Sequence, residues 1–456
     1  MTLIHQGIRV AIVTLGCSKN LVDAECMSMI LENNGYTLLS SFENADVIVI
    51  NTCGFIESAK SEAIDMILSA ADYKKPRGPV SYIIVTGCLS QRYPDEILSD
   101  LPEVDAVLGT GHYGDIHKVI SSLIDPSVKP IRSMVSNAGG ISHLTAGRKV
   151  STETYAWLKI AEGCSHSCAY CAIPIIRGPL VSRPMEDILQ EAGELAEQGF
   201  EEIILAAQDT TSYGMDICGK RILPELLSAI SRIESIRSIR IMYAYIDGIT
   251  DDLIREIKSN PKIAHYLDIP VQHASDDVLK RMGRRDRADD ISFVIQKLRR
   301  EIPDIILRST VIVGFPGETD DDFDELLRML EVWSFDRLGC FVFSPEEGTR
   351  AFSMSNPVDS DIALDRFERL MSLQREISFR SNQKRMNSVV TVTIDSVSED
   401  GIFYIGRSYG EAPEVDPSIL VLATSNELKL GKRYRVRLVD CSTYDMTGVT
   451  TDECSQ

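Results

Sequence analysis

Six cysteines stand at spacings that could do chemistry. Cys164, Cys168 and Cys171 fall within Cys-Ser-His-Ser-Cys-Ala-Tyr-Cys, a C-x3-C-x2-C run. A structural zinc site wants four ligands, commonly two separated C-x2-C pairs, and this run has no matching second pair. His166 could serve as a fourth ligand, but it lies between two of the cysteines, where the short loop would have to fold sharply. Three thiolates suit a cubane iron–sulfur cluster with one iron left open for a substrate or cofactor. Cys17, Cys53 and Cys88 form a looser set, at intervals of 36 and 35 residues.

Each member of that second set closes an apolar run of strand length, at 9–13, 47–50 and 82–85. Near-continuous Val/Ile runs are what strands buried on both faces of a parallel sheet require. Helical patterns at 20–34, ending at Gly35, and at 56–71 lie between them. Strand, helix, strand, helix, strand is a doubly wound unit, and its strand ends share one carboxyl edge where ligands bind. The three thiols are therefore expected to converge on one crevice. Cys26, Cys218, Cys340, Cys441 and Cys454 follow no such pattern and read as packing or surface thiols.

The chain of 456 residues allows about three domains at ~150 residues each. Its 44% hydrophobic and 25% charged content is that of a globular protein. The formal net charge of −20 argues against broad, unspecific nucleic-acid binding, which runs on Lys and Arg neutralising phosphates. An odd count of 11 cysteines in a long chain does not suit a secreted disulfide scaffold. No apolar run approaches the ~20 residues needed to span a bilayer. The opening MTLIHQGIRVAIVTLGC has no basic region, apolar region and cleavage site in succession, so no signal peptide is read and a cytoplasmic location is expected.

After the C-x3-C-x2-C run, strand-like segments at 155–161, 202–207, 239–245, 266–271, 305–313 and 338–343 alternate with helical patterns including 186–198, 251–259, 291–301 and 321–332. Six such units read as a partial (β/α)6 barrel, with ligands at the carboxyl ends of its strands by analogy with complete barrels. Gln208, Gln272, Arg308 and Gly314 fall at those ends. The last ~70 residues carry short β-branched runs at 389–394, 402–405, 419–422 and 434–439, punctuated by Gly and Pro, as in a small antiparallel barrel.

C-x3-C-x2-C with an aromatic before the last Cys resembles the radical S-adenosylmethionine (SAM) superfamily. In that superfamily the open iron chelates SAM, and one electron cleaves it to methionine and a 5′-deoxyadenosyl radical. The addition of Gly-Cys-Ser-Lys-Asn, Asn-Thr-Cys-Gly and Thr-Gly-Cys-Leu ahead of that core resembles, more narrowly, the methylthiotransferases. The resemblance covers nearly the whole chain. It implies an N-terminal methylthiotransferase domain at 8–124, a radical SAM core at 150–380 and a TRAM domain at 383–450. It also implies two [4Fe-4S] clusters, held by Cys17, Cys53 and Cys88 and by Cys164, Cys168 and Cys171. SAM would contact Tyr170, Gln208, Gln272, Arg308 and Gly314, and an external electron donor such as flavodoxin or ferredoxin is expected.

Two branches of the family compete. One thiomethylates an isopentenylated adenosine in tRNA; the other acts on the β-carbon of one aspartate in the small-subunit ribosomal protein twelve. The stretches at 16–20, 160–164, 173–178, 207–210 and 343–349 resemble the second branch, as does Gly-Arg-Ser at 406–408 followed by Ala-Pro-Glu-Val-Asp at 412–416. Residues 386–456 hold 6 Lys+Arg against 11 Asp+Glu. A net charge of −5 suits a basic protein partner better than a phosphate backbone, so tRNA is not the expected substrate, and Glu411, Glu414 and Asp416 are expected to dock the protein. Tyr245-Ile246 stands where the family usually has Tyr-Pro, and Pro417 where Gly is common. A redox sensor or electron carrier is the non-enzyme alternative. Electron carriers pack their clusters into short chains, whereas this chain surrounds them with three domains.

Overall fold

The computed structural model describes residues 7–76, 78–136, 139–424 and 427–451. The N-terminal sheet holds β1 (Arg9–Thr14), β2 (Thr37–Leu39), β3 (Val47–Thr52), β4 (Tyr82–Gly87), β5 (Ala106–Leu108) and β6 (Ser133–Met134), all parallel, in the order β2-β1-β3-β4-β5-β6. Successive side chains of a strand point to opposite faces. Val47 and Val49 pack on the helices Ser18–Asn33 and Ile116–Ile124, while Ile48 and Ile50 pack on Glu57–Ala71 and Pro94–Asp100. The order reverses between β1 and β3, which is where open α/β sheets bind ligands. Cys17 and Cys53 follow those two strands. The sheet also runs past the expected boundary at 124, because β6 is too short to give an apolar run in the sequence.

The central domain contains β7 (Ala156–Lys159), β8 (Ala161–Glu162), β9 (Val181–Ser182), β10 (Glu202–Ala206), β11 (Ser238–Ile241), β12 (Ile263–Asp268), β13 (Ile306–Val313) and β14 (Arg337–Val342). Six of these form a parallel sheet in the order β14-β13-β12-β11-β10-β7. Sequence order equals spatial order, as in a partial (β/α)6 barrel. The expected first strand is split in two: its end, β8, leaves the sheet to pair with β9 in an antiparallel ribbon that carries the cysteine loop. Ile203 and Leu205 face the outer helices, whereas Ile204 and Ala206 face inward. There they meet Val22 and Cys26 from helix Ser18–Asn33 and Ala412 from the C-terminal domain, so the open barrel is filled from both sides.

A helix the sequence pattern did not mark, Ser360–Arg385, runs through the expected boundary at 380–383 into the last domain. That domain is a closed barrel of β15 (Val389–Val397), β16 (Tyr404–Arg407), β17 (Ile419–Leu422), β18 (Arg433–Cys441) and β19 (Met446–Thr450). Four of its neighbouring pairs are antiparallel and β17–β19 is parallel. Among the described residues no helix is long and apolar enough to cross a membrane.

Candidate functional site

All six cysteines of the two triads line one cavity of about 460 Å³. It lies between the carboxyl edges of the two parallel sheets, with Phe55, Ile173, Pro174, Met242, Phe341 and Val415 giving it an apolar wall. None of the ten described cysteines is in a disulfide, and Cys454 lies outside the described residues. Cys26 and Cys340 are buried and Cys218 is exposed, away from this cavity.

The first triad is drawn together by Asn20. Its side-chain amide donates to the carbonyls of Leu15 (2.9 Å) and Thr52 (3.0 Å), and its main-chain carbonyl accepts from the Asn51 side-chain amide at 2.7 Å. The Cys17 and Cys53 loops are thereby tied to the start of one helix. Gly16 makes the approach possible: its φ is +95°, and a Cβ there would sit 2.7 Å from Cys53 Cβ. The second triad rides on a loop held by Ala169 N–H to Met282 O (2.7 Å) and Ala351 N–H to Ala169 O (2.8 Å).

A buried charge network joins the N-terminal domain, at Cys88, to the central domain that carries the second triad. Arg177 donates from Nη1 to Asp23 (2.7 Å) and Glu162 (2.9 Å), and from Nη2 to Asn20 Oδ1 (2.5 Å) and the Cys88 sulfur (3.5 Å). Lys159 pairs with Asp23 at 2.6 Å and also with Glu162, and His143 meets Asp23 at 2.8 Å. Burial alone would raise Asp23, but Lys159, Arg177 and His143 hold its carboxyl well below the usual range. That contribution is present above the unfolded carboxyl value of about 3.9 and is lost as pH falls below it. Arg177→Met, which leaves Asp23 and Glu162 short of a partner, is expected to destabilise the protein by about 3–5 kcal/mol. Denaturant unfolding at neutral pH measures this, and wild-type stability in that variant would show the network to be dispensable.

Around the second triad, the Tyr245 hydroxyl lies 3.0 Å from the Cys168 sulfur. Its ring stacks on His166 at 3.9 Å, and Arg284 covers it at 4.1 Å. His166 Nε2 meets Asp209 at 2.7 Å, so the imidazole that could have been a zinc ligand is a partner of Asp209. In the sequence Tyr245 is marked only as the end of an expected strand and as the residue before Ile246, where the family usually has Pro.

Of the other expected site residues, Tyr170, Gln208, Gln272 and Arg308 line the cavity. The Gln208 amide donates to Glu162 at 2.5 Å, and its Oε1 is buried with no hydrogen-bond partner. Gln272 holds a left-handed φ of 71°, a conformation rare for a side-chain-bearing residue and concentrated at functional sites. Arg308 reaches Asp416 of the C-terminal domain at 3.2 Å and the Val415 carbonyl at 3.3 Å. Gly314 is not among the lining residues. Its φ of +74° and the 2.6 Å that would separate a Cβ from Ala363 Cβ serve the packing of helix Ser360–Arg385.

The expected docking acids are also committed within the chain. Glu411 pairs with Arg385 at 2.5 Å, Asp416 accepts from Tyr266 (2.6 Å) and Arg308, and Glu414 accepts from Tyr155 at 2.8 Å. Glu411 and Asp416 are buried, so they fasten the barrel to the core and present no acidic face.

The donor set fits two clusters. Each triad offers three sulfurs and leaves one corner of a cubane without a protein ligand. Burial pushes Cys164 up to about 11 and Cys53 and Cys171 up to about 12. A cavity that disfavours free thiolates calls for a cation that stabilises them, and bound iron is one. Cys17 differs: desolvation raises it, but Lys19, Arg177 and the N–H groups of Asn20 and Lys19 bring it below the ordinary value.

This arrangement of fold and thiols defines an enzyme of the radical SAM superfamily, with SAM and [4Fe-4S] clusters as its cofactors. Residues 158–330 match the Radical SAM superfamily, residues 388–450 the TRAM domain and residues 9–109 the uncharacterized protein family UPF0004. Among solved structures, the radical SAM methyltransferase TsrM of Kitasatospora setae, with cobalamin and a [4Fe-4S] cluster bound, matches at a TM-score of 0.54 and 12% identity over 87% of this chain and 86% of that one, a likeness of fold. The ribosomal protein uS12 methylthiotransferase RimO of Acetivibrio thermocellus is 45% identical over 98% of this chain and 99% of its own length. That of Clostridioides difficile is 45% identical over 97% and 98%. The chain belongs to the RimO family of radical SAM methylthiotransferases.

Proposed function

We propose that this protein transfers a methylthio group to the β-carbon of an aspartate in ribosomal protein uS12, in the cytoplasm, with electrons from a flavodoxin- or ferredoxin-type donor. The observation that supports it best is that both thiol triads open on one cavity. In this reading Cys164, Cys168 and Cys171 hold one cluster and Cys17, Cys53 and Cys88 the other. When bound, the clusters and SAM supply the electron, the carbon-centred radical and the methylated sulfur.

The chain's own residues do the rest. Gln208, with its orphaned oxygen, and Gln272 and Tyr170 are the proposed SAM contacts. Arg177 and Asn20 fasten the domain of the first triad to the domain of the second. The apolar wall of Phe55, Ile173, Met242 and Val415 keeps water from reactive species, which is the protein's part in cofactor chemistry of this kind. Val415 comes from the C-terminal barrel, so that domain completes the cavity wall.

Anaerobic reconstitution tests the reading. Holoenzyme with about eight iron atoms per chain, given SAM and reductant, is expected to add one methylthio group to purified uS12, located by mass spectrometry on an aspartate. Modification of tRNA nucleosides in place of uS12 would assign the chain to the other substrate class.

A further inference from the structure

Three Lys and Arg side chains line the cavity, and two of them are already neutralised: Arg177 by Asp23 and Glu162, Arg308 by Asp416. The third is Lys19, in the first turn of helix Ser18–Asn33, two residues after Cys17. It is only 8% exposed. Its ammonium lies 3.2 Å from the centroid of the Tyr243 ring, and among the described residues no carboxylate forms an ion pair with it. Cys17 and Asp268 feel its charge, but it lacks the directly paired carboxylate that burial of an ammonium normally demands. Two further observations mark the same place. Tyr243 is held in the left-handed region, φ 59°, to lie against Lys19. Asp268, which also lines the cavity, has a buried Oδ1 with no hydrogen bond, its ion-pair partner Arg308 Nε standing 3.6 Å away. The site thus lacks an anion at one point and a donor at another. A residue within a polypeptide that carries a carboxylate supplies both, through its side chain and its backbone N–H.

We infer that Lys19 is the specificity residue that receives the side-chain carboxylate of the substrate aspartate. The inference rests on the proposed function. An aspartate β-carbon is one bond from its carboxyl carbon, so a carboxylate on Lys19 places that carbon beside Cys17 and the first triad. The methionyl carboxylate of SAM has the same chemistry, but its expected contacts lie with the second triad; the experiment separates the two. Burial, countered by Arg308 and joined by Asp416, pushes Asp268 up to about 6. At neutral pH it is still mostly ionised and so remains an acceptor, and Arg308 Nε at 3.6 Å offsets its repulsion of an incoming carboxylate.

The test uses anaerobic holoenzyme without reductant, fluorescently labelled uS12 and its Asp→Asn form at the modified position, and SAM titrated separately. Wild-type enzyme is expected to bind the Asp form about tenfold or more tightly than the Asn form, the scale of one charge-assisted hydrogen bond. Lys19→Met should bring the two within about twofold, and Lys19→Arg should restore most of the preference. The ratio is independent of the fraction of enzyme correctly folded. An undiminished Asp preference in Lys19→Met overturns the inference, as does a tenfold loss of SAM affinity with the preference intact; in both cases the substrate reading stands. If wild-type enzyme neither binds nor, with reductant added, modifies uS12, the substrate reading fails and Lys19 loses this role with it.

Discussion

Replacing Cys164, Cys168 and Cys171 together with alanine will leave about half the iron and abolish reductive cleavage of SAM. The substitution removes three sulfurs and almost no structure. The loop between β8 and β9 is held by main-chain bonds, Ala169 N–H to Met282 O and Ala351 N–H to Ala169 O, and by the Arg350 guanidinium on Ser167 O at 2.5 Å. None of these uses a thiol. The first triad keeps its own supports in Asn20 and Arg177. Iron assay and 5′-deoxyadenosine quantitation on the reconstituted variant give the two numbers. Full iron retention, or continued SAM cleavage, would sink the assignment of this triad.

How much of this was legible in the sequence depends on the range of the interaction. The Val/Ile runs before Cys17, Cys53 and Cys88 mark strands because full burial imposes an apolar side chain at nearly every position, as in β3, where all six residues are buried. The shared edge of the three thiols then follows from topology. That both triads open on one cavity does not, because the contacts responsible join residues far apart: Asp23 with Arg177 across 154 positions, and Lys159 with Asp23 across 136. Nothing local in Asp23 or Lys159 marks a buried ion pair. Short strands such as β6 were missed for want of a pattern. Gly314 was read as a ligand-facing glycine because helix Ser360–Arg385, against which it packs, was not marked in the sequence.

Net charge was the weaker guide to a partner. The acidic excess of residues 386–456 includes Asp395, Glu411 and Asp416, which are bound to Arg407, Arg385 and Arg308. On β18, Tyr434, Val436 and Leu438 turn inward while Arg437 is exposed, its guanidinium donating to the Asn387 carbonyl at 3.4 Å. A sum over a segment does not tell paired from presented charge. The case for a protein substrate therefore rests on the family.

Replacing Cys17, Cys53 and Cys88 with alanine will separate the two halves of the chemistry: methylthio product is expected to vanish while SAM is still cleaved. The three thiols sit on strand ends whose main chain is fixed by Asn20 and by the Thr52 hydroxyl on Thr86 O at 2.6 Å. The N-terminal sheet should therefore fold without them. Arg177 loses one long contact to sulfur but keeps Asp23, Glu162 and Asn20, so the interface with the core persists. The second triad, with Tyr245, His166 and Asp209 around it, belongs wholly to the central domain and keeps its geometry. About half the iron should remain, and 5′-deoxyadenosine should accumulate without modified uS12. Product from this variant would mean that the sulfur does not come from the first triad. Loss of SAM cleavage along with the product would mean that the two sites cannot be separated, contrary to their independent support in the fold.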